Sequence, residues 1–169
     1  MASNEVLNAM EALTYERDRQ EFALGDTLDI KTGLILAALT FLAIQSSDLI
    51  HAGLGFYQRL AQYISVASLI IGGALAAAEL YPRDYDREAP PSKYQAWIAD
   101  AEERHRQHPS DADPVNAEAF TSARLTSALQ SVQTNLAINK KKSQLMICAF
   151  FCTMAAFAAN VLTLLSRLF

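Results

Sequence analysis

The sequence is poor in the residue types that mark disulfide scaffolds and metal sites. It has 2 cysteines and 3 histidines in 169 residues. Cys148 and Cys152 lie four residues apart in an apolar block, a spacing that gives no disulfide framework, and we interpret them as packing residues. His105 and His108 form an HxxH in a charged segment without the further spaced ligands that zinc requires. We therefore predict no metal site.

Motifs for catalysis and for nucleic-acid binding are also missing. The chain has no Gly-rich phosphate loop, no GxSxG elbow and no cysteine–histidine arrangement typical of a nucleophile. Its formal net charge of −4 gives no reason to expect a nucleic-acid partner. The first ten residues lack the basic and then apolar regions of a secretory signal. We predict a protein with no catalytic residues and no cofactor.

What the sequence does contain is three apolar blocks. The clearest is residues 62–81, which carries no charge before Glu79. Its length matches the roughly 20 residues that cross a bilayer core, and its glycines and alanines allow close helix packing. Pro82 cannot continue a helix and Arg83 suits the headgroup region, so we predict a membrane span that ends here.

The other two blocks are residues 29–50 and 145–165. The uninterrupted apolar core of the first is short, but Lys31 can extend its side chain to the near interface. The second is long enough to span, and no proline separates it from residue 115. We predict one continuous helix that passes from water into the membrane.

The remaining segments are amphipathic. Residues 3–24 predict a helix that stays in water, and Gly25 with Asp26 is expected to end it. In the charged middle of the chain, prolines delimit a short helix with Tyr94 and Trp97 on one face. An apolar line that alternates steps of four and three indicates helix pairing. It runs through Leu125, Leu129, Val132 and Leu136.

The positive charges orient these segments. With the N-terminus in the cytoplasm, only Arg59 and Arg167 of the 14 Lys and Arg residues fall outside. We predict an all-α membrane protein whose N-terminus is cytoplasmic and whose C-terminus is periplasmic. Its parts are an N-terminal helix (1–28), a transmembrane hairpin (29–81, with spans about 29–50 and 62–81), a cytoplasmic helical insert (82–142) and a third transmembrane helix (143–169).

Polar residues at the membrane boundary are candidates for function. A carboxylate at Glu79 needs a partner there, and Lys31 on the neighbouring span is the partner that we predict. Asn135, Asn139 and Lys142 lie at roughly helical spacing where the last helix enters the membrane. They are either a polar seam that pairs subunits or opens to water, or simple interface anchors.

Three stretches resemble a known family. DIKTGLILAALTF at the first span, ELYPR at the end of the second, and NKKKSQL at the start of the last are similar to the transmembrane effectors of Pycsar anti-phage systems. The resemblance covers most of residues 24–165. The matching positions are Asp29, Lys31, Tyr81, Pro82, Arg83, Asn139 and Lys142.

The resemblance implies a function. Such effectors are paired with a pyrimidine nucleotide cyclase, respond to cyclic CMP or cyclic UMP, and impair the bacterial inner membrane. We also expect an oligomer. A cyclic nucleotide would need an arginine for its phosphate and an aromatic face for its base. The candidates for this site are Arg83, Arg87, Arg104, Arg124, Tyr85, Tyr94 and Trp97. No cyclic-nucleotide-binding β-roll is recognisable, so the site is built from helices or lies between subunits.

Three alternatives stay open. The chain is a membrane effector of another nucleotide messenger, or a passive anchor that docks a soluble partner through residues 115–140. The third is a soluble four-helix bundle, favoured by a mean hydropathy of only +0.10. Residues 145–165 oppose the soluble bundle, because a soluble helix of that length needs a polar face.

Overall fold

A computed structural model describes residues 2–50, 55–83, 85, 91–107 and 117–166. Within these ranges the chain is all-α, with four helices and no strand. They are α1 (Ala2–Ile50), α2 (Phe56–Leu80), α3 (Pro91–Gln107) and α4 (Ala117–Leu165). Helices α1, α2 and α4 are each long and apolar enough to cross a membrane. The predicted all-α membrane fold is confirmed, as is the unbroken last helix.

The expected break after the N-terminal helix was wrong. α1 continues through Gly25 and Asp26 without interruption, and Gly25 is buried. A glycine costs a helix only about 1 kcal/mol, which a helix of 49 residues tolerates when packing favours continuity. The second helix also begins earlier than predicted, at Phe56, so the connection from α1 is shorter than the sequence indicated.

The chain divides into two compact units. The first, which we call the insert unit, combines Met1–Ala23 with Asp84–Ile138. The second, the bundle unit, combines Leu24–Arg83 with Asn139–Phe169. Each unit therefore contains part of α1 and part of α4. The three apolar blocks predicted as membrane spans all lie in the bundle unit.

The bundle unit is a three-helix bundle. Asp29 contacts Lys142 and Ser46 contacts Asn160, so residue numbers rise together along α1 and α4, and these helices are parallel. α2 meets the same levels in reverse order, because Ser65 lies with Ser46 while Glu79 lies near Lys142. α2 is thus antiparallel to both, as three successive membrane crossings require.

Burial in this bundle follows a seven-residue repeat, the repeat of helices that pack along a left-handed seam. The buried positions are Gly25, Thr32, Leu39 and Ser46 on α1, Ser65, Gly72 and Glu79 on α2, and Lys142, Ala149, Ala156 and Thr163 on α4. Most of these side chains are small or polar. Many of the large apolar side chains point outward, and Ile70 and Phe151 are more than 60% exposed, whereas Leu39 and Leu42 are buried.

This distribution is the reverse of a water-soluble bundle. In water, large apolar side chains drive folding by leaving the solvent, and polar side chains remain outside. In lipid, small residues allow close helix contact and polar side chains hydrogen-bond across the interface. The exposed apolar face and polar seam therefore favour the membrane interpretation over the soluble four-helix bundle.

The apolar line predicted on α4 is only partly buried. In the insert unit Leu125 is buried, but Leu129 and Leu136 are exposed. The buried positions nearby are Ala128 and Ser131 instead. Of the prolines expected to delimit α3, Pro91 is the first residue of the helix, and those at positions 90, 109 and 114 lie outside the described residues.

Candidate functional site

The main candidate site is an ionic cluster in the bundle unit, which we call the Lys142 cluster: Asp29, Thr32, Glu79 and Lys142. The Lys142 ammonium lies 2.5 Å from Asp29 Oδ1 and 4.0 Å from Glu79 Oε1. The Lys142 and Glu79 side chains are 4% and 0% exposed, whereas that of Asp29 is 44% exposed. The cluster therefore runs from the surface of the bundle to its core.

Glu79 is incompletely satisfied in this cluster. Among the described residues, neither its carboxylate oxygens nor the Thr32 hydroxyl finds a hydrogen-bond partner. The Lys142 ammonium is too far from Glu79 for a hydrogen bond and binds Asp29 instead. Buried charges are costly unless they are paired and hydrogen-bonded, so Glu79 depends on the nearby Lys142 ammonium.

Lys31 is not the partner of Glu79, which corrects the sequence prediction. Lys31 is exposed, whereas the neighbouring Thr32 is buried in the bundle seam. Adjacent helical residues point about 100° apart, so the two side chains face different surroundings. The ammonium near Glu79 is supplied by α4 through Lys142.

A second polar group, the Asn160 cluster, was not predicted from the sequence. It consists of Ser46, Gln62, Ser65, Asn160 and Thr163, all buried. The Ser46 and Ser65 hydroxyls lie 3.0 and 2.9 Å from Asn160 Oδ1 and 2.9 Å from each other. Gln62 Nε2 donates to the Thr163 hydroxyl at 3.0 Å. These bonds join all three helices.

A segment without charge separates the two clusters. Lys142 and Asn160 are 18 residues apart on α4, which at about 1.5 Å per residue is about 27 Å. That distance is close to the roughly 30 Å thickness of a bilayer core. The intervening seam, which we call the dry segment, is lined by buried small and apolar side chains. These are Leu39, Leu42, Gly72, Ala76, Ala149 and Ala156.

Gly72 sets the closest approach in the dry segment. A Cβ atom there would lie 2.9 Å from Cys152 Cβ and 3.3 Å from Leu39 Cδ2. These distances leave no room for a methyl group, so the three helices are in tight contact at this level. The polar clusters are therefore separated by a closely packed barrier.

Three of the predicted nucleotide-binding residues meet around Phe120 in the insert unit. The Phe120 ring lies 5.7 Å from the Tyr94 ring and 6.5 Å from the Trp97 ring. The Arg124 guanidinium lies 5.8 Å from the same ring centroid. It also binds Glu11 at 3.1 Å and donates to the Tyr15 hydroxyl. An incoming phosphate would compete with Glu11 for Arg124.

The other nucleotide candidates that the structure describes make contacts of their own. Arg104 pairs with Asp100 at 2.9 Å on the exposed face of α3. Arg83 belongs to the bundle unit, where it reaches the Ala78 carbonyl at 3.5 Å. Arg87 lies outside the described residues. Tyr85 contacts Phe22, with 5.3 Å between ring centroids.

The remaining predicted residues at the membrane boundary are Pro82, Asn135 and Asn139. Pro82 follows directly after the end of α2 and the turn at Tyr81, as its missing N–H requires. Asn139 is buried, and Asn135 in the insert unit donates to Asp18 at 2.9 Å. Across the ranges that the structure describes, no three His, Cys, Asp or Glu side chains lie together as a metal site.

Comparison with protein-family models, with curated proteins and with solved structures finds no match for this chain. The features that bear on function are therefore the two polar clusters, the dry segment between them, the group around Phe120 and the resemblance of the sequence. The first three are geometric features of this molecule. The last adds a candidate signal.

Proposed function

We propose that this chain is a membrane effector that makes its bilayer leaky when it receives a signal. The observation that carries the proposal is the Lys142 cluster, in which an ammonium and a carboxylate are buried in the core of a bundle with an apolar exterior. Buried ionisable groups in membrane helices are costly and typically mark ion pathways or polar contacts between helices. A passive anchor needs neither.

The dry segment keeps this pathway closed at rest. Water and ions that enter at the Lys142 cluster meet the tight contact of Gly72, Leu39 and Cys152. Leakage then requires that the helices separate along their polar seam, either within one chain or by re-pairing with the seams of other chains. Homo-oligomers of this kind would expose the polar residues of α2 and α4 to a shared interior.

The signal that we propose is a cyclic pyrimidine nucleotide, cyclic UMP or cyclic CMP, from a partner cyclase. The resemblance to Pycsar effectors supports this choice. The Phe120 group, which consists of Tyr94, Trp97, Phe120 and Arg124, supplies three aromatic rings and a guanidinium near one another. A ligand opens the membrane only if it binds the open or assembled state more tightly than the resting state. The nucleotide phosphate would replace Glu11 as the partner of Arg124. This exchange would provide the difference in affinity between the two states.

The proposed location is the bacterial inner membrane, with the N-terminus in the cytoplasm and the C-terminus in the periplasm. The excess of Lys and Arg on the side of the membrane that holds the N-terminus supports this orientation, since positively charged segments remain in the cytoplasm. It also places the insert unit where a cytoplasmic cyclase would deliver its product.

Leakage from sealed vesicles tests the proposal. The purified chain is reconstituted in vesicles loaded with a self-quenching dye, and cyclic UMP, cyclic CMP and cyclic AMP are added separately. We expect dye release with one pyrimidine nucleotide, loss of release in Arg124→Gln, and unchanged release in the matched variant Arg104→Gln. Release with cyclic AMP alone would assign the effector to a different messenger. If a correctly inserted protein releases no dye with any of the three nucleotides, the proposal is contradicted.

A second candidate function is that of a membrane anchor for a soluble partner. Leu129 and Leu136 on α4 and Leu13 on α1 are exposed apolar side chains of the insert unit, which a partner would cover. This candidate predicts that vesicles containing the protein retain their dye with every nucleotide. It also predicts that Leu129→Gln and Leu136→Gln together abolish recruitment of the partner without any effect on membrane integrity.

A further inference from the structure

We propose that the bundle unit binds an anionic phospholipid in a groove between α1 and α4. The groove, which we call the Lys31 groove, has a volume of about 300 Å³. Its lining residues are Lys31, Leu34, Ile35, Met146, Ile147 and Phe150. This site goes beyond the leakage function and does not depend on it.

The walls of the groove suit an acyl chain. Apart from Lys31, every lining side chain is apolar, and the groove opens on the outer face of the bundle. Leu34, Ile147 and Phe150 are exposed, so they face the hydrocarbon that surrounds a membrane-embedded bundle. A lipid chain that fills the groove gains contact with both helices at no cost in water exposure.

One end of the groove carries positive charge. Lys31 is exposed and, among the described residues, has no acidic partner, because Asp29 on the same helix pairs with Lys142. Lys140 precedes Ile147 by seven residues, so it lies on the same face of α4 two turns nearer the charged end of the bundle. Lys140 is also exposed. Lys31 in the lining, with Lys140 further along the same face of α4, matches a phosphate attached to a hydrocarbon chain.

This combination favours a lipid over a second copy of the chain. A helix from another subunit would fill the groove with apolar side chains and would leave Lys31 without an anion in the headgroup region. A phospholipid satisfies both parts, since its chain occupies the groove while its headgroup meets the lysines. Lysines at a membrane surface each strengthen the binding of anionic lipids, typically by about 1 kcal/mol, or about fivefold.

Native mass spectrometry of the full-length chain tests the site. The protein is reconstituted in equimolar phosphatidylglycerol and phosphatidylcholine vesicles, gently extracted, and its retained lipids are counted. We expect the wild-type chain to retain phosphatidylglycerol preferentially. Lys31→Gln should reduce that preference about fivefold, and Lys31→Arg should preserve it. Lys141→Gln removes an exposed lysine outside the lining and should change little.

A groove-filling variant provides the second arm of the test. Ile147→Trp should lower retention of both lipids, because the larger ring occupies the space of the acyl chain. Equal losses in Lys31→Gln and Lys141→Gln would show general attraction to the membrane surface and would overturn the site. Unchanged lipid retention in Ile147→Trp would also overturn the site, and a smaller oligomer than the wild-type chain forms would then assign the groove to a second copy.

Discussion

Lys142 and Asp29 form an ion pair whose two ends lie in different surroundings. The Lys142 ammonium is 2.5 Å from Asp29 Oδ1, yet the lysine side chain is buried and the aspartate is nearly half exposed. α4 thus supplies a cation to the core, and α1 supplies an anion at its edge. Because Glu79 lies 4.0 Å away on α2, one ammonium links all three helices of the bundle.

The first prediction concerns this shared ammonium. Lys142→Met should destabilise the bundle by about 3 kcal/mol, because removal of one partner leaves a buried charge uncompensated. The measurement is unfolding of the micelle-embedded protein in a detergent titration followed by circular dichroism. Lys141→Met is the matched control, since Lys141 is exposed. Adding Glu79→Gln to Lys142→Met should recover part of the loss, and no recovery would mean that Glu79 is not the stranded charge.

The second prediction concerns the Asn160 cluster. Ser65→Ala removes a hydroxyl bonded to Asn160 at 2.9 Å and should cost about 1 kcal/mol. Ser68→Ala makes the same chemical change one turn further along α2, at a half-buried position outside the cluster, and should cost almost nothing. The same detergent titration compares them. Equal midpoints for the two variants would mean that the cluster contributes no net stability.

The third prediction concerns the tight contact at Gly72. Gly72→Ala should destabilise the bundle by about 1–3 kcal/mol, because its methyl group would meet Cys152 and Leu39. Gly73→Ala is the matched control, since a Cβ at Gly73 meets nothing within 4 Å. The control should be neutral or slightly stabilising, because alanine favours a helix over glycine. If Gly72→Ala behaved like Gly73→Ala, the helices would not be in tight contact at this level.

The fourth prediction uses the single tryptophan of the chain, Trp97. Its ring contacts Phe120, so a nucleotide that stacks in this group should change the tryptophan emission. We expect a saturable change with cyclic UMP or cyclic CMP that Arg124→Gln abolishes and Arg104→Gln preserves. A titration that saturates equally in all three proteins would place the nucleotide site away from Arg124.

The sequence was sufficient to predict the three membrane-length helices because the exposed surface of the bundle unit is apolar. Side chains such as Ile70 and Phe151 raise the hydropathy of each span, and they lie on its exposed face. The continuity of α4 was likewise predictable, since no proline or glycine interrupts it. The break at Gly25 was wrong because a local helix penalty is small beside the packing of a long seam.

The pairing of polar residues could not be predicted in the same way. Lys31 and Lys142 both lie at the charged boundary of the spans, and hydropathy does not distinguish them. What distinguishes them is the helix face on which each one lies. Lys142 shares the buried face of α4 with Ala149 and Ala156, whereas Lys31 does not lie on the buried face of α1 that contains Thr32 and Leu39. The seven-residue spacing of Lys142, Ala149 and Ala156 was the signal available in the sequence. The next position at this spacing is Thr163, which belongs to the same cluster as Asn160.

The order of the helices has a consequence for how the protein is made. Glu79 is synthesised 63 residues before Lys142. At roughly 5–20 residues per second, α2 therefore waits about 3–13 seconds for the ammonium that it will share. During that interval the nascent hairpin of α1 and α2 carries a carboxylate without its cation, and only the arrival of α4 completes the charge balance. A ribosome that stalls within α3 would leave an intermediate in which Glu79 lacks the Lys142 ammonium.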